Sequence, residues 1–262
     1  AQTDLYKMVK IFADHDYEVT VYPTRARLDC TRKVLEDAGR FDLVVCCGGD
    51  GTLNEMVSGM MQRQDRRPMG YIPLGSTNDL AVSLRLPTRV EEAALRAVTG
   101  NEFHMDVGTL NDRYFNYIAA FGAFTETSYA TPQEIKNALG HLAYILEGVK
   151  SLGKILPIHV KITADDEQFE EDYLFGAVTN TISLGGVLKL DPEKVLLDDG
   201  MYELLLVKNP TNALEAQAML TAIMTQNFDG PLVKMFHASD ITFESSHEIS
   251  WTIDGEYGGT FS

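Results

Sequence analysis

At 262 residues, with a 45% hydrophobic share, the chain has room for one large or two modest domains with a sizeable core. Its 22 basic and 38 acidic residues give a formal net charge of −16, which argues against a nucleic-acid partner and against standing electrostatic adhesion to anionic lipid. No run of 18 apolar residues is present, no secretory signal is visible, and three cysteines make no disulfide framework, so the expectation is a cytosolic protein.

Taken in chain order, Leu5, Met8, Val9 and Phe12 repeat at helical spacing and predict a helix over 4–14. Residues 18–22 alternate as a strand. Thr24 follows Pro23, and a helix is expected over roughly 29–38 with Gly39 as its stop. Residues 43–47 are an apolar, partly β-branched run with the length of a buried strand, on which the adjacent Cys46 and Cys47 read as buried, reduced core residues. The run ends on Gly48-Gly49-Asp50-Gly51, and a helix follows over 53–62. A second strand over 69–74 leads through Gly75-Ser76-Thr77 to Asn78 and Asp79, which open a short helix bounded by Pro87. Residues 90–98 are a further amphipathic helix. Repeated strand–helix alternation predicts a mostly parallel, doubly wound layer.

Near Gly100 the pattern changes. Residues 103–110 and 113–120 flank Asn111-Asp112 as an antiparallel hairpin, and 121–131 read as a loop. The longest helical pattern covers 133–152, with Ile135, Leu139, Leu142, Ile145, Leu146 and Val149 on one stripe. Strands are expected at 157–164 and 168–179 around Asp165-Asp166, then at 201–207, 240–243 and 251–253, with a helix over 211–226 after Pro210. Many short strands after a βα half predict a second, mostly antiparallel β-sandwich domain. The boundary falls near residue 104, giving domains 1–104 and 105–262.

The chemistry concentrates where strands end. Parallel strands put the turns at 48–51 and 75–79 at one sheet edge, where ligands of open α/β sheets bind. Glycines let backbone approach a phosphate, and the first N–H groups of a helix point at it unpaired. Asp50 stands where a phosphate would stand, which is sensible if Mg²⁺ lies between them. Asp50 and Asp79 are thus candidate Mg²⁺ holders, and Asp79 can at the same time serve as a helix N-terminal residue. Thr52 and Ser76 offer hydroxyls. At Asp254-Gly255-Glu256 the glycine lets two carboxylates crowd a sharp turn, the best source of a general base; the competing reading is a polar hairpin turn. Asp198-Asp199-Gly200 reads as a turn. His15, His104, His141, His159, His237 and His247 show no paired ligand spacing, and a zinc site is not supported.

In order and spacing, GGDGTLNE at 48–55, PLGSTNDLA at 73–81, DDG at 198–200 and WTIDGE at 251–256 resemble the diacylglycerol kinase catalytic domain family in its bacterial soluble branch, related to the sphingosine and ceramide kinases. The resemblance spans nearly the whole chain. It implies an N-terminal doubly wound parallel α/β domain of NAD kinase and phosphofructokinase type, a following antiparallel β-sandwich domain, and an active site in the cleft between them. It implies an ATP- and Mg²⁺-dependent lipid kinase that phosphorylates a lipid hydroxyl, most simply diacylglycerol to phosphatidate.

By matching position, the resemblance places nucleotide contacts at Thr24, at Gly48, Gly49, Asp50, Gly51, Thr52, Leu53, Asn54 and Glu55, and at Gly75, Ser76, Thr77 and Asn78. It places a structural Mg²⁺ on Asp199 and the backbone carbonyls of Leu196 and Met201. Glu256 is the implied base with Asp254 supporting it, and Asp50 is the alternative, as in the sphingosine kinase branch. It further implies transient, peripheral contact with a membrane from the cytoplasm, and leaves pairing into a homodimer open. Phe121, Phe124, Tyr129, Tyr144, Leu146 and Leu152 could line an apolar channel for the lipid, or equally form core. An NAD kinase-like enzyme is disfavoured by the PLGSTND segment, and a binding-only regulator by the intact acids. The family opens with a strand and a glycine turn and continues past DGE, so the expectation is a chain lacking both ends.

Overall fold

The computed structural model describes residues 2–123, 156–184, 188–190 and 195–262. The chain forms two compact units: residues 1–104 with 111–116, and residues 105–110 with 117–262. The helix expected over 133–152 and the channel candidates Phe124, Tyr129, Tyr144, Leu146 and Leu152 lie outside the described residues.

The first unit contains helices α1 (Gln2–Asp14), α2 (Asp29–Asp37), α3 (Asp50–Met61), α4 (Asp79–Ser83) and α5 (Val90–Thr99) around strands β1 (Val44–Gly48) and β2 (Met69–Pro73). β1 and β2 run parallel, from Val44 opposite Met69 to Gly48 opposite Pro73. The α1 stripe supplies Met8 and Phe12 to a core completed by Ile72 of β2 and by Ala93 and Ala94 of α5. That burial is what fixes these helices against the parallel pair, since short helices gain most of their stability from packing.

Two expectations fail here for a shared reason. Residues 18–22 carry the alternating pattern but form no ladder, and all are exposed. A strand exists only where a neighbour accepts its N–H and C=O groups. Among the described residues β1 pairs on one edge only, with β2. Along the unit, an apolar groove of about 630 Å³ is lined both by residues 17–24 and by residues 43–47. Cys47 is exposed in that groove, whereas the adjacent Cys46 is buried. Burial pushes the Cys46 thiol up, and Cys30 to about 11, while the surrounding groove walls raise the thiol of Cys47.

The second unit is built on a large antiparallel sheet. Its strands are β5 (Ile118–Gly122), β6 (Ile158–Ala164), β7 (Glu167–Thr179), β10 (Tyr202–Lys208), β11 (Val233–Ala238), β12 (Ile241–Glu244), β13 (Ile249–Ile253) and β14 (Glu256–Phe261). Among the described residues the second unit also has the short strands β3 (Gly108–Leu110), β8 (Ser183–Leu184) and β9 (Leu188–Lys189), while β4 (Arg113–Phe115) belongs to the first unit. The order is β11-β10-β7-β5-β13-β14, with β6 beside β7 and β12 beside β6. β7 is the spine: its first half pairs with β6 and its second half lies between β10 and β5. β11 and β14 carry no pattern that marks them in the sequence, and Phe121 and Gly122, expected as loop, close β5.

Helix α6 (Ala213–Thr225) starts as its sequence specifies. Asn212 Oδ1 accepts the Glu215 N–H at 3.0 Å, and Glu215 Oε2 accepts the Thr211 N–H at 2.7 Å. Its inner face and β10 share a core of Leu205, Val207, Met219 and Phe228. Elsewhere the sheet packs Phe121, Phe243 and Trp251 together, with Trp251 4.9 Å from each of the other two ring centroids. Phe121 is fully buried, so its place is core rather than an open channel. Among the described residues no helix is long and apolar enough to cross a membrane.

Phe121 lies directly across from Gly176, and a Cβ there would sit 2.2 Å from the Phe121 ring. The ring is wedged against Trp251 and has nowhere to move. Gly176→Ala is therefore expected to cost about 1–3 kcal/mol, the usual range for overpacking. Urea unfolding followed by the emission of Trp251, the sole tryptophan, measures it.

Candidate functional site

In the first unit both glycine turns fold onto each other. α3 begins at Asp50, three residues earlier than the sequence pattern suggests, with Gly49 as an extended cap residue. The Leu74 N–H donates to Gly48 O at 2.8 Å, which carries the β1–β2 pairing past the strand ends and draws the second turn alongside the first. There the backbones touch: a Cβ on Gly75 would lie 2.5 Å from Gly49 Cα, and one on Gly49 would lie 3.1 Å from Gly75 Cα. A side chain at Gly75 would force the backbones apart, and one at Gly49 would be tight.

The second turn is held by Asn78, which adopts the left-handed conformation. Its Oδ1 accepts from the Gly75 N–H at 3.0 Å and the Tyr71 hydroxyl at 3.1 Å, and its Nδ2 donates to Gly75 O at 2.8 Å. Asn78 is thus fully engaged in shaping the loop. Gly75, Ser76 and Thr77, at the tip, are exposed.

Asp50 and Asp79 each open a helix, α3 and α4. Burial pushes the Asp50 carboxyl up, opposed by backbone N–H groups of Asn78, Asp79 and Leu80 at the start of α4, which favour its charged form. Asp50 Oδ1 is buried without a hydrogen-bond partner. Asp79 is buried too. The charges of Asp50 and Asp79 both act on the Tyr71 hydroxyl, whose pKa is raised by burial first, then by Asp50, with smaller effects of Cys46 and Asp79. The two carboxylates therefore do gather at one edge of the parallel pair.

The rest of GGDGTLNE divides by task. Gly51 and Thr52 form the first turn of α3 and stay partly accessible. Leu53 is core. Asn54 Nδ2 donates to Tyr114 O at 3.1 Å. Glu55 accepts two backbone N–H groups, that of Leu28 on Oε1 at 2.7 Å and that of Cys30 on Oε2 at 3.2 Å. Thr24 is exposed and lines the same groove as Thr52.

In the second unit, Asp254 and Gly255 are the two central residues of the β13–β14 hairpin. Both have positive φ, 48° and 79°, as a type I′ turn needs. Asp254 is buried, and its Oδ1 accepts the N–H groups of Tyr117 at 3.0 Å and Ile118 at 3.2 Å. Glu256, at the start of β14, is exposed. The hairpin reading and the acid pair are thus both present, with unequal duties: one carboxylate is anchored inside and the other faces out.

Asp199 lies on an exposed turn whose Oδ1 accepts the Met201 N–H at 2.9 Å, while Asp106 Oδ2 accepts the Gly200 N–H at 2.6 Å. Leu196 and Met201 flank that turn. Beside it lies a residue the sequence reading passed over. Glu203 is 2% exposed, its carboxyl is pushed up to about 7 by burial with the Asp199 charge adding, and its Oε2 has no hydrogen-bond partner. His237 Nε2 is 3.6 Å from Oε1. The available signal was a lone acid heading the apolar run 204–207, on the inward side of a strand.

Residues 1–110 match the family model described as diacylglycerol kinase catalytic domain, and residues 124–262 match the YegS C-terminal NAD kinase beta sandwich-like domain. The diacylglycerol kinase of Bacillus subtilis is 34% identical over 257 residues, which span 97% of this chain and 84% of that protein. The chain belongs to the diacylglycerol kinase family. Its enzyme class is that of a lipid kinase. The diacylglycerol kinase of Staphylococcus saprophyticus is 33% identical over 244 residues, covering 93% of this chain and 80% of its own length. Among solved structures, a Bacillus anthracis protein put forward as a diacylglycerol kinase superposes with a TM-score of 0.82 at 28% identity, covering 99% of this chain and 86% of that one. The α/β unit followed by an antiparallel β unit is the architecture the motifs implied.

Two family motifs are testable as scaffolding. Gly75→Ala must force the loops apart at backbone, because its Cβ meets Gly49 Cα and Asn78 Oδ1; turnover is expected to fall by ~10-fold or more through misplacement of the site. Asp254→Ala leaves the Tyr117 and Ile118 N–H groups without their acceptor. It should cost about 2–4 kcal/mol of stability, read by urea denaturation.

Proposed function

We propose that this lipid kinase uses ATP with Mg²⁺ and that its acceptor is diacylglycerol, giving phosphatidate at a membrane surface. The observation that carries the reading is the meeting of the two glycine loops around a buried Asp50 oxygen that has no partner. It occurs in a chain whose relatives at 33–34% identity are diacylglycerol kinases. A strand end, a glycine turn and a helix N-terminus make an anion site. A lone carboxylate oxygen inside such a site is mismatched to phosphate and matched to a cation.

Mg²⁺ fits what the residues offer. Among the described residues no three His, Cys, Asp or Glu side chains gather into a metal cage. Mg²⁺ does not require one, since it binds through one or two carboxylates with phosphates and water. Asp50 and Asp79 would hold it here, and Asp199 with the carbonyls of Leu196 and Met201 would hold a structural ion. Bound Mg²⁺ supplies neutralisation of phosphate charge.

The protein's own share is positioning. N–H groups of Gly51 and Thr52 at the first turn of α3 receive phosphate oxygens, with hydroxyls of Thr24, Thr52, Ser76 and Thr77 in support. Glu256 takes the proton of the lipid hydroxyl as its oxygen bonds to the γ-phosphorus and the bond to the β-phosphate oxygen breaks, releasing ADP. Asp254 acts indirectly by fixing the hairpin that presents Glu256. With a net charge of −16, contact with the membrane rests on local surface rather than on bulk attraction.

The experiment is an assay with labelled ATP, Mg²⁺ and mixed micelles containing diacylglycerol, sphingosine or a polyprenol. Labelled phosphatidate is expected; a folded sample that labels none of the lipids sinks the reading, and labelling of another alcohol reassigns the acceptor. Glu256→Gln should lower turnover by ~10²-fold or more with the KM for ATP near normal. Unchanged turnover would pass the base to Asp50.

A further inference from the structure

The last residue of GGDGTLNE is placed in a way that its role as a direct ligand contact does not explain. α2 begins without a cap of its own: the preceding Leu28 is left-handed, at φ 63°, and offers no side-chain acceptor. The first turn of a helix leaves N–H groups unpaired. Here two of them, on Leu28 and Cys30, donate to Glu55, which sits on α3 and 27 and 25 residues further along the chain. The negative charge also lies at the favourable end of the α2 dipole. On the same residue, the Thr31 hydroxyl donates to Glu55 O at 2.8 Å.

The loop before α2 is closed in turn. Asp29 Oδ2 accepts the Arg25 N–H at 2.9 Å and the Tyr22 hydroxyl at 3.4 Å, and Asp29 Oδ1 is paired with Arg32. Thr24 therefore hangs on a loop whose far end, at Leu28 and Cys30, is bolted to α3. Thr52, one turn before Glu55 on α3, lines the groove that Thr24 also lines.

We infer that Glu55 is a positioning residue: its carboxylate caps α2 from α3 and so locks the Thr24 loop and the glycine loop into one nucleotide-binding surface. This rests on the reading of ATP as the donor. Glu55 holds no phosphate or metal; it sets the distance between two segments that do. Loss of the carboxylate frees the Thr24 loop without altering Asp50, Glu256 or the lipid acceptor.

The test uses the full chain with Glu55→Ala and Glu55→Gln. Three readouts are taken: equilibrium affinity for ATP by calorimetry, the KM and kcat of lipid phosphorylation, and amide hydrogen exchange at Leu28 and Cys30. Glu55→Ala is expected to weaken ATP affinity and raise the KM for ATP by ~10-fold or more, with kcat and the KM for lipid within about threefold. Exchange at Leu28 and Cys30 should rise in the same variant. Glu55→Gln keeps one carbonyl oxygen and should fall between the two in every readout.

Normal ATP affinity in Glu55→Ala, with or without faster exchange, overturns the proposal, as does a fall in kcat at unchanged KM. If the wild-type chain binds ATP yet phosphorylates no lipid, the lipid kinase reading fails by itself, and the calorimetric and exchange comparisons still decide the role of Glu55. A wild-type chain that binds no ATP overturns both.

Discussion

The contact on which the first unit depends is one of backbone with backbone, between Gly49 at the end of β1 and Gly75 at the end of β2. Two parallel strands in register deliver their turns to the same edge, but adjacency by itself leaves room for side chains between them. Removing both Cβ atoms lets the turns close, and closure brings Asp50 under the N-terminus of α4 and beside Tyr71 and Asp79. The desolvation that lifts Asp50 and the bare oxygen it retains follow from that closure. The proposed phosphate-and-cation site would owe its electrostatics to packing of main chain.

An acidic chain must do something with its carboxylates, and here many of the buried or half-buried ones serve as acceptors for backbone N–H groups. Asp254 takes two from β5 and its lead-in, Glu55 takes two from the start of α2, Asp29 takes one from Arg25, and Asp106 takes one from Gly200. A charged acceptor makes stronger hydrogen bonds than a neutral one, and those of Asp254, Glu55 and Asp106 tie segments distant in sequence. Among the described residues two acids depart from this habit, since Asp50 and Glu203 each keep a buried oxygen unsatisfied. The first stands in a phosphate-type loop, and the second lies next to the turn where the family resemblance implies a structural ion.

The elements that were legible from sequence are those whose pattern and partner are both local. α1, α2, α5 and α6 appear within a residue or three of their periodic stretches, and the β6–β7 pair forms around Asp165-Asp166 as read. Elements that depend on a distant neighbour were misread. Residues 18–22 alternate but have no ladder, Cys47 sits on a strand yet faces a groove, and β14 is recognisable only once β13 is there to pair with it. At the site, the residue types of the glycine turns and of Asp254-Gly255-Glu256 were plain, but the division of labour among them was not.

Sequence by itself determined the family, the order of a βα half and a β half, and the acids and glycines through which phosphoryl transfer would run, because motif spacing and residue chemistry are written along the chain. Tertiary structure decided which of those acids keep a buried oxygen available and which accept main-chain N–H groups instead. That choice belongs to side chains such as Glu55 and Asp254, whose partners lie 25 to 137 residues away. No local pattern encodes such partners; only the packing of α3 on α2 and of the β13–β14 hairpin on β5 brings donor and acceptor within reach.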